Sequence, residues 1–211
     1  MCISYKASAQ SGMRFAIAVV LCLWLQPVLS PAGVAQELSP RAFWPAPEGT
    51  RILTLGYRYT DGDTLTDPSL PVTGVNSEIN EAFAALFQTF NLAGRTANLI
   101  VEAPYIWGET RGTLGEETPL DRDFDGLGDM ALTLSANLHG APSMDREAFA
   151  ALRADPDPIL GASLRVVAPT GDYNQDRVVN VGANRWAGKA ELGYIQPINP
   201  RWLLEVEVGA W

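Results

Sequence analysis

Apolar and polar side chains alternate along three segments near the C-terminal end of the chain, at 158–168, 186–196 and 202–210. In the last segment every second residue is apolar, whereas Glu205 and Glu207 lie on the other parity. Because successive side chains of a strand point to opposite faces, each segment has one apolar face and one face that accepts charges. A tilted transmembrane strand needs about 9–11 such residues. The pattern therefore predicts β-strands that cross a membrane.

Residues 1–35 have the composition of an export signal. Lys6 and Arg14 are the only charged residues there, and an unbroken apolar run covers 15–25. This run is too short for a membrane-spanning helix and suits the hydrophobic region of a signal peptide. Small residues at 33–35 predict cleavage near Ala35. We therefore expect 1–35 to be a signal peptide and 36–211 to be one partial outer-membrane β-barrel domain.

The residues after Ala35 are acidic and contain no cysteine. Both cysteines precede Ala35, whereas all 24 acidic residues and all but two of the 15 basic residues follow it. The lack of cysteine excludes disulfide frameworks, cysteine zinc sites and thiol nucleophiles from this part. Its acidity argues against nucleic acid as a partner, because phosphate binding needs clustered Lys and Arg. No later apolar run approaches the ~20 residues of a membrane helix.

Seven strands are predicted after the signal peptide. They cover 50–59, 81–90, 97–107, 130–138, 158–168, 186–196 and 202–210. Segment 81–90 suits either a helix or a strand, although its neighbours favour a β-hairpin, and 141–157 contains a possible helical turn or two. Single-chain bacterial barrels have even strand numbers. The odd count predicts that the sequence is a fragment of a longer barrel, truncated at its C-terminal end.

Loop lengths and aromatic positions favour a transmembrane barrel. The predicted loops 60–80, 108–126 and 171–180 are long, whereas 91–95 and 199–201 are short, as in outer-membrane barrels. Aromatic residues on the apolar parity lie near the strand ends: Tyr57, Tyr59, Tyr105, Trp107 and Trp186 beside long loops, Tyr194 and Trp202 beside a short turn. Two such girdles mark the membrane interfaces. We expect an all-β, antiparallel up-and-down barrel in the bacterial outer membrane, with its lipid as partner; a soluble periplasmic β-sandwich is the alternative.

The polar parity of the strands is expected to line the barrel lumen. This set consists of Arg51, Arg58, Asn98, Glu102, Arg165, Lys189, Glu191, Glu205 and Glu207. The mixed signs suggest ion pairs between strands, so no ion selectivity is predicted. We expect passive transport of a small molecule, with aromatic or otherwise apolar compounds as candidates. A structural or interaction barrel with a plugged lumen is the alternative.

One acidic segment has the spacing of a calcium loop. Asp121, Asp123, Asp125 and Asp129 occupy its positions 1, 3, 5 and 9, with Gly126 at position 6. Leu132 stands where such a loop carries a bidentate glutamate, which excludes an EF-hand. The favoured interpretation is a solvated acidic loop without a cofactor, and a weak calcium site is the other.

No enzymatic activity is predicted. His139 is the only histidine, and Ser135 lies on the same strand four residues earlier. Residues i and i+4 of a strand are roughly 13 Å apart, whereas a serine and its base must be within hydrogen-bond reach. The sequence identifies no other pair that suits nucleophilic catalysis.

Several short motifs in the second half of the chain resemble one known family. They are Gly126-Leu127-Gly128-Asp129, Ala168-Pro169-Thr170-Gly171-Asp172-Tyr173-Asn174, Val181-Gly182-Ala183-Asn184-Arg185-Trp186, Glu191-Leu192-Gly193-Tyr194 and Arg201-Trp202. These motifs resemble the meta-pathway phenol-degradation family. The resemblance implies an outer-membrane barrel of transporter type, associated with aromatic catabolism. It carries over no catalytic or ligand residues.

Overall fold

The structure is a computed structural model that describes residues 42–63, 72–115, 118–177, 179–199 and 202–211. The predicted signal peptide, with its cleavage position at Ala35, lies outside the described residues. Within the described ranges, no helix is long and apolar enough to cross a membrane.

The described residues form one antiparallel sheet with a short helix. Its strands are β1 (Arg51–Asp63), β2 (Val72–Leu92), β3 (Arg95–Leu114), β4 (Thr118–Leu127), β5 (Ala131–His139), β6 (Ile159–Val167), β7 (Ala187–Asn199) and β8 (Trp202–Ala210), and helix α1 (Arg146–Ala154) lies between β5 and β6. The strand order is β1-β2-β3-β5-β6-β7-β8, and β4 pairs with β3. The sheet forms a half-barrel. The prediction of an all-β antiparallel fold is confirmed.

The strand interpretation of 81–90 is confirmed, because the whole segment belongs to β2. In this segment Phe87 lies opposite Ile52 of β1 and Ile100 of β3. A strand flanked on both sides satisfies all its backbone N–H and C=O groups through its neighbours. Pairing with these partners, which local sequence does not reveal, decides against the helix.

The described parts of the predicted loops 60–80 and 108–126 are almost entirely strand, so the loop prediction is wrong for them. Strand β1 continues to Asp63, β2 begins at Val72, β3 runs to Leu114, and β4 covers Thr118–Leu127. The described part of the chain thus has eight strands, and the count of seven is corrected. In these extensions the apolar residues, such as Val75 and Phe124, are isolated among polar ones, so the sequence lacks the sustained apolar alternation that would reveal a strand.

The two ends of the sheet carry different connections. The end with the β2–β3 turn at Ala93-Gly94, which we call the lower end, also holds helix α1. The opposite end, which we call the upper end, holds the β4–β5 and β6–β7 connections beside Tyr105 and, about ten residues farther along β3, the β3–β4 turn at Gly115. Both turns place glycine at positive φ, a conformation that suits residues without a Cβ atom.

A hydrophobic cluster lies at the lower end. It consists of Phe43, Ala141, Met144, Ile159 and Ile195, surrounded by Trp44, Phe149, Leu152 and Leu203. The ring of Phe43 is 2% exposed and lies where side chains at Gly161 and Gly193 would otherwise be. The segment 42–50, which precedes β1, is therefore packed against β6 and β7.

Helix α1 confirms the helical turns expected within 141–157. Asp145 caps its first turn, accepting a hydrogen bond from the Ala148 N–H at 2.9 Å. Glu147 in the first turn and Arg153 in the last suit the helix dipole. Phe149 and Leu152 face the hydrophobic cluster, so the helix is held by packing at the lower end.

Candidate functional site

The strand register sorts the side chains into two faces. Residues directly opposite in an antiparallel pair lie on the same side of the sheet. One such row crosses six strands as Ile52, Phe87, Ile100, Thr133, Arg165 and Lys189. We call this side the inner face, because Phe43 covers Gly161 and Gly193, which lie on it. The opposite side is the outer face.

The outer face presents a continuous band of large apolar side chains. They include Leu53, Leu55, Leu86, Leu132, Leu134, Leu164, Leu192, Leu204, Val206 and Val208, all more than one-third exposed. Leu55 on β1 is 75% exposed. No second sheet covers this band within the described residues. A contiguous apolar surface of this extent indicates contact with lipid or another apolar partner.

Aromatic residues lie at both margins of the outer band. At the upper end, the rings of Tyr57 and Trp107 are 6.0 Å apart, and those of Tyr105 and Trp107 are 6.1 Å apart. The Tyr105 hydroxyl donates to the Asp125 carboxylate at 3.0 Å. Trp202 is exposed at the lower end. This placement agrees with the two predicted girdles, in which amphipathic rings lie between apolar and polar surroundings.

Eight of the nine predicted lumen residues lie on the inner face. These are Arg58, Asn98, Glu102, Arg165, Lys189, Glu191, Glu205 and Glu207. The predicted inner position of Arg51 is corrected. Arg51 shares parity with Leu53 and lies on the outer face, opposite Gln88. The first residue of a strand lies at the sheet margin, where a long cationic side chain can reach polar surroundings. Its polarity therefore does not indicate an inner position.

Ion pairs connect the charged residues of the inner face. Arg165 on β6 reaches across β5 to Glu102, and also donates to the Thr133 hydroxyl at 3.3 Å. The Lys189 ammonium lies 2.6 Å from the Glu191 carboxylate. Lys189 is only 5% exposed, and a buried charge of this kind needs such a partner. The expectation of pairing between strands agrees with Arg165 and Glu102, whereas Lys189 and Glu191 are neighbours on β7.

A row of uncharged polar groups lies next to these ion pairs, toward the lower end. Thr89 donates to the Asn98 side chain at 2.9 Å, and the Asn98 amide donates to Ser135 at 3.5 Å. Farther round the sheet, Ser163 donates to Glu191 at 3.2 Å. Most members are buried, so these bonds satisfy groups that would otherwise be costly to remove from water. Ser135 is thus a member of a structural network.

The inner face also has an apolar sector, which the sequence interpretation missed. It comprises Phe83, Phe87, Ile100, Pro104 and Ile106, on β2 and β3. Phe83 lies over Gly56 of β1. In the sequence, the polar residues Glu81 and Thr89 share the parity of Phe83 and Phe87. This shared parity could have assigned the two phenylalanines to the polar, inner face. The inner face therefore changes from apolar on β2 and β3 to charged on β6–β8.

The lower end of the inner face is covered by the chain itself. The Glu48 N–H donates to the Met144 carbonyl at 2.8 Å, and the Ser143 hydroxyl donates to the Glu48 carboxylate at 2.8 Å. The Gly49 N–H donates to the Thr89 carbonyl at 3.0 Å. With the Phe43 ring packed over Gly161 and Gly193 on the inner face, these bonds make 42–50 a plug segment at this end.

The four calcium candidates do not form one loop. Asp121, Asp123 and Asp125 alternate along β4, on the parity of the outer face, so the first and last are roughly 13 Å apart along the strand. Asp129 lies between β4 and β5, where its carboxylate accepts from two backbone N–H groups. No cluster of three metal-ligating side chains occurs among the residues that the structure describes. Weak calcium binding stays a prediction.

The serine and the histidine considered for catalysis are not brought together. Ser135 is buried on the inner face beside Asn98. The β5–β6 register shifts after Asn137, which leaves His139 exposed and opposite Leu160. The contact of Ser135 with its neighbouring strand is the hydrogen bond from the Asn98 amide, which is no general base.

The sequence model of a family described as "Putative MetA-pathway of phenol degradation" matches residues 59–210. The chain belongs to this family. No match was found among curated protein sequences. The family resemblance predicted from the motifs is thereby confirmed.

One solved structure shares the fold. It is described as the crystal structure of the COG4313 outer membrane channel from Pseudomonas putida F1, with a TM-score of 0.55 and 21% sequence identity. The match covers 81% of this chain and 58% of that one. The chain thus spans less than two thirds of the neighbour's length.

Proposed function

We propose that this family member is an outer-membrane channel that passes small solutes without an energy source. The observation that carries the proposal is the two-faced sheet: an exposed apolar band with aromatic margins on one side, and ion pairs and polar rows on the other. A membrane-spanning barrel needs this division, because its outside meets lipid while its inside meets water. The fold shared with an outer membrane channel supports it.

The inner face suits solutes that combine an apolar body with a polar group. Phe87 and Ile100 provide an apolar wall, and Arg165 and Lys189 lie farther along the same row. Such a solute can keep its ring against the first wall and its polar group toward the second. A small aromatic compound carrying a hydroxyl or carboxylate group fits this description, and the family description, which names phenol degradation, supports that choice.

The plug segment favours a second candidate, a structural barrel with a closed lumen. Phe43 is buried against the inner face of β6 and β7, and Glu48 is hydrogen-bonded to Ser143 and Met144. These contacts obstruct the lower end of the inner face. A closed barrel would serve as a scaffold, and it would show the same lipid-facing band without conducting.

Reconstitution of the full-length protein distinguishes the two candidates. We expect localisation in the outer membrane, altered gel mobility on heating, and stable conductance in planar bilayers. In a channel, a Glu205→Lys/Glu207→Lys variant should shift the ion preference toward anions, since both carboxylates lie on the inner face. Asp123→Lys, which reverses the charge of one carboxylate on the outer face of β4, is the control and should leave ion preference unchanged.

Each outcome supports or rejects a stated candidate function. A heat-modifiable outer-membrane protein that never conducts would support the closed scaffold. Conductance with an unchanged ion preference in the double variant would contradict the placement of Glu205 and Glu207 in the lumen. Recovery in a soluble periplasmic fraction would reject both candidates in favour of a sandwich.

A further inference from the structure

Two of the family motifs, which are distant in sequence, meet at the upper end of the sheet. Asp129 ends the motif between β4 and β5, and Asp172 belongs to the motif that follows β6. Each carboxylate binds the backbone of the other's segment, so the contact is reciprocal. We call this set of contacts the latch.

The latch holds both arms of the β6–β7 connection. Asp129 accepts from the Gly171 N–H at 2.8 Å through one carboxylate oxygen, and from the Ala183 N–H at 2.7 Å through the other. Asp172 accepts from the Leu127 N–H at 2.7 Å, and its own N–H donates to the Leu127 carbonyl at 2.7 Å. Bonds to ionised carboxylates are stronger than those between neutral groups. The segment that leaves β6 and the segment that leads into β7 are therefore both hydrogen-bonded to residues 127–129.

Glycines allow the backbones to approach closely in the latch. A Cβ atom at Gly182 would lie 2.7 Å from the carbonyl carbon of Gly171. One at Gly171 would lie 2.8 Å from the carbonyl carbon of Gly128. Both distances are shorter than van der Waals contact, so any larger residue would separate the three segments. The glycines of the motifs thus have a packing role.

The latch lies on the inner side of the sheet. Gly126 is opposite Ile106, an inner-face residue, and the Asp172 carboxylate occupies the space where a side chain at Gly126 would be. A Cβ atom at Gly128 would lie 2.8 Å from the ring of Pro104, also on the inner face. The arms of the connection that carry Gly171 and Ala183 consequently fold over the inner face at its upper end.

We infer that the latch holds the β6–β7 connection as a fixed constriction of the lumen mouth, with Asp129 and Asp172 as positioning residues that set the largest solute able to pass. This inference rests on the proposed channel function. Its physical basis is that a connection tied at both arms cannot swing out of the mouth, whereas an untied connection of this length samples open positions readily.

The test combines transport with proteolysis of the full-length protein in liposomes. Swelling rates are measured with neutral sugars of increasing size, and trypsin cleavage is followed at Arg177 and Arg185, exposed residues of the connection. We expect Asp129→Ala to accelerate cleavage about tenfold, because two bonds to a carboxylate are lost. The rate for a trisaccharide relative to a monosaccharide should rise several-fold.

Conservative variants give a graded result that a general loss of structure would not produce. Asn at position 172 keeps one oxygen for the Leu127 N–H, so Asp172→Asn should remain near the wild type. Asn at position 129 can accept only one of the two bonds that Asp129 accepts, so Asp129→Asn should be intermediate. Asp123→Ala removes the same charge from β4, outside the latch and away from both trypsin sites, and is the matched control.

The outcomes separate this inference from the proposed function. Passage of sugars with the same size limit in Asp129→Ala and the wild type would overturn the constriction, while the channel would stand. Unchanged cleavage would overturn the latch itself. If no variant passes any solute, the channel and the constriction are both rejected. If Asp129→Ala fails to fold, judged by its gel mobility before heating, the comparison of Asp129→Asn with Asp172→Asn decides.

Discussion

At the scale of single residues, the inner face depends on where glycine stands opposite a large side chain. Gly161 and Gly193 leave the space that the ring of Phe43 fills, and Gly56 leaves the space for Phe83. These glycines lie within strands, where the residue is intrinsically unfavourable. Their occurrence there has a packing reason, namely the close approach of an aromatic ring to the backbone.

Replacement of Gly161 by alanine should release the plug segment. The added methyl group overlaps the Phe43 ring, which also lies against Gly193 of the neighbouring strand, and overpacking of this kind costs about 1–3 kcal/mol. Chemical denaturation of the reconstituted protein would measure the loss. Gly188→Ala is the control, since its Cβ atom meets only one atom, at 3.8 Å.

The double variant Phe43→Ala/Gly161→Ala tests the mechanism of this effect. If the two groups compete for one space, the second change should restore part of the stability lost by the first, and the effects should not add. Additive losses would show that Gly161 acts independently of the Phe43 ring.

At the scale of elements, the structure places polar strand extensions at one end and the plug with α1 at the other. The extensions of β2 and β3, with β4, carry many charged residues beyond the aromatic girdle, including Glu109 and Asp123. Helix α1 and the hydrophobic cluster close the opposite end. Because outer-membrane barrels have their longer connections on the outside, we expect the extensions to face the exterior of the cell and α1 to face the periplasm.

Single cysteines should report this orientation. Both native cysteines lie in 1–35, so a labelled cysteine introduced after that segment is unambiguous if the predicted signal peptide is removed. Asp123→Cys on β4 should react with a membrane-impermeant maleimide on intact cells. Asp155→Cys, exposed at the end of α1, should react only after the outer membrane is permeabilised. The reverse pattern would invert the orientation, and labelling of the unaltered protein would show that the native cysteines persist.

At the scale of the whole molecule, the outer band separates a membrane barrel from a soluble sandwich. A sandwich would bury Leu134 and its neighbours against a second sheet, whereas here they are exposed. Lipid chains are fluid and adapt to side chains of different volume, whereas a packed protein interior does not. Volume and charge substitutions at one position therefore give different results for the two architectures.

Two substitutions of Leu134 test the lipid contact. Leu134→Trp should change the free energy of unfolding by no more than about 0.5 kcal/mol in a membrane, although it would cost about 1–3 kcal/mol in a packed core. Leu134→Arg should cost about 2–4 kcal/mol, because it places a cation within the hydrocarbon region. Asp123→Arg, on the outer parity beyond the girdle, should be tolerated. A large penalty for tryptophan would argue for a buried band.

The sequence by itself determined the strands whose two faces differ. Alternation located β5–β8 and the outer band, and aromatic positions located its margins, because a membrane requires opposite polarity on opposite faces of one strand. It also found most inner charges, such as Arg165 and Lys189. Only the tertiary structure decided the remaining features: the strand state of 81–90, strand β4, the plug at Phe43, the latch at Asp129 and the outward position of Arg51. Each of these depends on partners distant in the chain or on register, and local periodicity contains no information about either.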